Sequence, residues 1–158
     1  MSNSSSVTEK IKVLMIGGME NNALEITAYL KTHSDEIDYL EWAKTGQDGI
    51  SKTKTLNPDI VLVDSHMPDM NMNSLHVVRF IREASESIKI ITMSMSNNPQ
   101  WIMNSIDAGA DDYISQPMLG VSTDKYILMD NMYNVVKRLY YHIGTTMREE
   151  MNMKKELL

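Results

Sequence analysis

The sequence predicts an α/β domain built on a doubly wound parallel sheet, and three observations predict it. Strand-sized apolar runs recur along the chain, stretches of helical periodicity separate them, and turn residues mark the boundaries.

The runs are IKVLMI (11–16), IDYLEWA (37–43), DIVLVD (59–64), IKIITMS (88–94) and DYIS (112–115). Leu24, Ile26, Tyr29 and Leu30 mark a helical stretch after the first run. Leu75, Val77, Val78, Phe80 and Ile81 mark another, and Ile102, Ile106 and Ala110 a third. Asn57-Pro58, Asn98-Pro99 and Gly109 punctuate the series. Strands alternating with helices make βαβ units with right-handed crossovers, so five strands and five helices are expected, with helices on both faces of the sheet. The third and fourth runs are the most continuously apolar, as strands buried on both faces require.

From Ser122, which has the side chain of an N-cap, helical spacing returns at Leu128, Met132, Val135, Leu139 and Ile143. Gly144 stops or weakens that helix, and the charged TTMREEMNMKKELL segment beyond it is still helix-compatible. The segment reads equally as a frayed terminal helix or as a linker helix to a partner or a further domain. The expected organisation is a flexible leader (1–9), a globular domain (10–143) and a helical tail (144–158).

The 158 residues suit one domain with one core. The leader MSNSSSVTEK lacks the basic and apolar parts of an export signal, so a cytoplasmic location is expected, and no run approaches the roughly 20 apolar residues of a membrane span. The absence of cysteine excludes disulfides, thiolate metal sites and cysteine nucleophiles. His33, His66, His76 and His142 show no metal-ligand spacing. A formal charge of −6 without a basic stripe argues against direct nucleic-acid binding. The 15 methionines read as flexible core filler.

In open parallel sheets the functional crevice lies outside the carboxyl ends of the strands. That rule selects Gly17, Gly18, Asp64, Ser94, Met95 and Gln116.

The runs NPDIVLVDSHMPDMN, IITMSM and AGADDYISQP, taken in order, resemble the receiver domain of bacterial response regulators over roughly residues 11–120. The resemblance implies a five-stranded flavodoxin-like fold, with Asp64 at the position of the phosphoacceptor, Ser94 at that of the phosphoryl-contacting hydroxyl and Tyr113 at that of the aromatic switch. Gly17 and Gly18 stand at the positions of an acidic pair that helps to hold Mg²⁺. Gln116 replaces the lysine, Met95 stands where a small residue is common, and Asn71 and Met72 replace a signature Asp and Gly. The chain therefore resembles a degenerate receiver. The family commonly holds the bond corresponding to Gln116-Pro117 cis, an isomer that proline makes accessible.

Phosphoryl transfer to a carboxylate depends on positioning and charge neutralisation. Mg²⁺ prefers octahedral oxygen coordination, so with Asp64 and a backbone carbonyl such as that of His66 as the protein anchors, weak or absent binding is expected. Glu20 is expected as a surface carboxylate rather than a replacement ligand. Gln116 donates hydrogen bonds without a charge, and Met95 is expected to fill space at the pocket mouth.

Three functional readings follow. The first is a non-enzymatic, phosphorylation-independent regulatory module that pairs two copies, or docks a protein partner or output domain, through its fourth helix, fifth strand and fifth helix. Trp101, Tyr113, Tyr126 and Tyr133 are its candidate anchors. The second is a phosphoacceptor still modified on Asp64 with weakened Mg²⁺ dependence. The third makes Gly17 and Gly18 a backbone cradle for a small anionic ligand, although the third glycine of a dinucleotide fingerprint and the Lys-Ser/Thr of a P-loop are missing.

Overall fold

A computed structural model describes residues 9–69, 72–96, 98–115 and 125–157; the side chains of Lys125, Tyr126 and Leu128 also lie outside the described set. The elements run β1 (Ile11–Ile16), α1 (Glu20–Lys31), β2 (Ile37–Ala43), α2 (Gly46–Leu56), β3 (Ile60–Asp64), α3 (Ser74–Ala84), β4 (Lys89–Ser94), α4 (Pro99–Ala108), β5 (Asp112–Ser115), α5 (Lys125–Tyr140) and α6 (Met147–Glu156).

All five strands pair in parallel in the order β2-β1-β3-β4-β5, the flavodoxin-like arrangement that the sequence predicts. Side chains alternate between the two faces. Val13 and Met15 of β1, with Ile60 and Leu62 of β3 and Ile91 and Met93 of β4, pack with Ala23, Ile26 and Leu30 of α1 and Met132 and Val136 of α5. Leu14, Ile16, Val61, Val63 and Ile90 point the other way, toward Val77, Val78 and Ile81 of α3 and Ile106 of α4. Both faces of the central strands are therefore covered, which is why they carry near-continuous apolar sequence.

Helix starts follow local chemistry. Thr45, Asn73 and Asn98 accept N-cap hydrogen bonds from the backbones of Asp48, His76 and Gln100, and Pro99 occupies the first turn of α4. Leu24 and Phe80, counted in the helical periodicity, are instead half exposed, and Ala110 is buried beyond the end of α4. The described helices number six rather than five. α5 ends at Tyr140, a turn containing Gly144 at φ +74° follows, and residues 147–156 return to the domain as α6. Among the described residues no helix is long and apolar enough to cross a membrane.

Candidate functional site

The carboxyl ends of β1, β3 and β4 bring Gly17, Gly18, Asp64, Ser94 and Met95 to one end of the sheet; Gln116, the Gln116-Pro117 bond, Asn71 and Ser122 lie outside the described residues. Asp64 ends β3 with its side chain buried, and Oδ1 accepts from the backbone N–H of His66 at 2.8 Å.

The two glycines adopt φ values of +78° and +92°, where an L side chain is strained. A Cβ at Gly17 would lie 2.8 Å from both Sδ and Cε of Met67. One at Gly18 would lie 3.0 Å from Oδ2 of Asp64. Protein therefore fills the space immediately around both positions. The glycine amides point elsewhere: Gly17 N–H donates to the Ala43 carbonyl and Gly18 N–H to that of His66, each at 2.8 Å. The Trp42 indole N–H donates to the Gly17 carbonyl at 2.9 Å and fixes the turn from β2. A cradle for an anion would need those two amides, and both are committed to protein carbonyls.

Among the described residues the strand ends border a cavity of about 40 Å³ lined by Met19, Asn22, Asp64, Ser65, His66 and Met95. Met19 and Met95 are half exposed and line it as thioethers. Asp64 is the one carboxylate in that lining. Among the described residues no three His, Asp or Glu side chains gather as a metal-holding group. Glu20 turns to the surface, 3.9 Å from Lys44. A larger cavity of about 270 Å³ lies at the opposite end of the sheet, lined in part by Asn57, Asp59, Lys89 and His142, away from the described site residues expected from sequence.

Beyond the cavity, Ser94 Oγ accepts from the Ser96 N–H at 3.0 Å. The Tyr113 hydroxyl reaches the Ser96 carbonyl at 2.7 Å and that of Ser94 at 3.3 Å, so β5 holds the loop that follows β4. Burial raises the Tyr113 phenol pKa above its usual value, with a hydrogen bond to Ser115 pulling the other way. The Trp101 ring meets the Tyr113 ring edge-on at 5.9 Å. The structure thus joins Ser94, Tyr113 and Trp101 in one path from the cavity to α4. Tyr133 leaves that group. Its ring stacks on His33 at 3.9 Å and its hydroxyl donates to Glu36, on the seam between α1 and α5. The side chain of Tyr126 lies outside the described residues.

Sequence reasoning missed Met67, Met19 and Asn22. Asn22 had a signal, since it precedes Ala23 and Ile26 on the buried stripe of α1.

The sequence model of the response regulator receiver domain matches residues 9–123. This chain belongs to the response regulator receiver family. Response regulator protein VraR of Staphylococcus saprophyticus is 28% identical over 147 residues, covering 93% of this chain and 68% of that protein. Protein-glutamate methylesterase/protein-glutamine glutaminase 3 of Geobacter sulfurreducens is 25% identical over 92% of this chain, which spans only 38% of that protein's length. The receiver fold is shared with the response regulator domain of Thermotoga maritima CheB, with a TM-score of 0.73 at 18% identity over 84% of this chain and 98% of that one.

Proposed function

We propose that this receiver works through protein contacts without a phosphorylation cycle, as a non-catalytic regulatory module in the cytoplasm that binds Mg²⁺ weakly or not at all. One observation carries the reading: the positions of the acidic pair are glycines whose side-chain space is occupied, by Met67 at residue 17 and by Asp64 itself at residue 18. Mg²⁺ needs several oxygen ligands and retains waters, whereas the described residues lining the cavity supply one carboxylate, Asp64. The donor set does not fit the ion. Without it, and with glutamine where the family has lysine, a phosphoryl group approaching Asp64 would meet an uncompensated negative charge.

The contact surface in this reading is the face of α4, β5 and α5, used for pairing two copies or docking a protein partner. Support comes from the Tyr113–Trp101 contact and from Met103, half exposed on α4. Family regulation couples the pocket to this face through a shift between two conformations. Here the Tyr113–Ser96 bond holds one of them as the resting arrangement.

Incubation with a small-molecule phosphodonor and Mg²⁺, read by intact mass, tests the proposal. The expected spectrum shows no stoichiometric adduct. An adduct present in the unaltered chain and absent from Asp64→Asn overturns the reading in favour of a phosphoacceptor. Sedimentation across a concentration series tests pairing, and a strict monomer at high concentration removes the second copy as partner.

A further inference from the structure

α6 is held against the α4–β5 edge by contacts that are numerous but shallow. Met147 and Met151, one turn apart, pack against the core layer that includes Ile106 and Ala108. The Arg148 N–H donates to the Asp111 carbonyl at 3.1 Å, and its guanidinium lies 3.7 Å from Glu86 and 3.9 Å from Asp111. Lys155 pairs with Asp107 at 3.0 Å. The helix is locally self-consistent: Thr146 and Glu149 form a capping box, acids occupy its first turn and lysines its last. Yet no residue of α6 itself is buried. Its ion pairs with Glu86 and Asp107 involve exposed partners, so salt screens them, and the approach of Arg148 to the buried Asp111 is long at 3.9 Å. Gly144, with open space around it, joins α6 to the domain.

We infer that the α4–β5 edge is a docking site for an amphipathic helix that presents methionine or leucine together with Arg and Lys, and that α6 is its tethered occupant. The chemistry of the edge selects this partner: apolar surface beside Asp107, Asp111 and Glu86 takes a helix with an apolar stripe flanked by basic residues. α6 shows that such a helix fits. A partner helix of the same character competes with α6, so its apparent Kd is the intrinsic Kd divided by the fraction of molecules in which α6 is undocked. The inference deepens the protein-contact reading by naming the partner's chemistry and its gate, and it does not depend on whether Asp64 accepts phosphate.

The test uses a labelled peptide of residues 145–158 as probe, added in trans to three forms of the full chain and read by fluorescence anisotropy. The first form is unaltered. The second is opened by Met151→Asp or, independently, by Arg148→Ser with Lys155→Ser. The third is closed: Asp107→Cys and Lys155→Cys supply the only thiols in a cysteine-free chain, and a short bifunctional reagent joins them. Circular dichroism melts confirm that each form is folded. The expected result is binding to the open forms at least tenfold tighter than to the unaltered chain, none to the closed form, and loss when the peptide itself carries glutamate at positions 148 and 155. Equal affinity for all forms, or no binding to either open form, overturns the inference. Self-association of the open forms without peptide binding also overturns it and assigns the edge to a second copy.

Discussion

Arg82 and Asp111 close an ion pair of 2.6 Å between two buried side chains. Around it the guanidinium donates to the carbonyls of Gly109, Ser85, Glu86 and Ile88, and Asp111 Oδ2 accepts from the Ile90 N–H. One arginine therefore ties the end of α3, the α4–β5 turn and the start of β4. It also presents Asp111 to α6, since Arg148 approaches the other oxygen of that carboxylate.

Replacing Arg82 with Met leaves Asp111 charged, buried and without its main partner. The expected loss is about 3–5 kcal/mol, the usual scale for breaking one side of a buried pair. Arg82→Lys loses most of this too, because an ammonium cannot span five acceptors as a planar fork does. Urea unfolding at neutral pH measures both. A loss under about 1 kcal/mol for Arg82→Met would mean that the pair is not the anchor described here.

Restoring an acid at residue 18 is expected to damage the protein rather than repair a metal site. Gly18→Asp places a Cβ 3.0 Å from Asp64 Oδ2 at a φ of +92° and adds a second negative charge beside the first. Backbone strain alone contributes about 1–2 kcal/mol, and repulsion adds to it. A lower melting temperature without a gain in Mg²⁺ affinity by isothermal titration is the expected outcome; tight Mg²⁺ binding by this single variant contradicts it.

The runs 11–16, 37–43 and 112–115 match β1, β2 and β5 end to end, because charged residues or glycine at Lys10, Gly17, Glu36, Lys44 and Asp111 bound the apolar segments. The crevice residues Gly17, Gly18, Asp64, Ser94 and Met95 were legible because sheet topology alone puts strand ends together. Met67 was not: its effect lies in where a long flexible side chain folds back, and no spacing encodes that. Arg82 was readable in hindsight, for it shares a stripe with Ser74, Val78 and Ile81, all buried. Tyr133 has the period of its helix, but only packing shows that its ring turns to His33 rather than to α4. The Thr146–Glu149 capping box is written in the tail, whereas the edge it docks on is set by the turn at Gly144.

Removing the Tyr113 hydroxyl should loosen the loop after β4 while leaving the ring contact with Trp101 in place. Tyr113→Phe deletes the 2.7 Å bond to the Ser96 carbonyl, and water replaces part of it because the site is exposed. A loss of about 0.5–1.5 kcal/mol is expected. Amide exchange at Ser96, whose N–H donates to Ser94 Oγ, should speed up relative to amides in β3. Unchanged exchange there would show that the hydroxyl does not hold the loop.

Asp112 gives stability a pH dependence of defined sign. Burial raises its pKa above the usual 3.8, offset in part by the Tyr113 N–H and the Arg138 guanidinium, which lies 2.8 Å from Oδ2. A carboxyl that holds its proton more tightly in the folded state favours folding fully below pH 3.8, and that contribution is lost as pH rises through the folded value. Arg138→Met removes the compensating charge, raises the Asp112 pKa further and extends the window upward. The variant should therefore lose about 1–3 kcal/mol at pH 7, toward the lower end because Arg138 is partly solvated, and less near pH 4.5. Urea midpoints of both proteins at the two pH values decide it. Asp112→Asn in the same background should abolish most of the pH dependence of the difference, and a gap that stays constant with pH would remove Asp112 as its source.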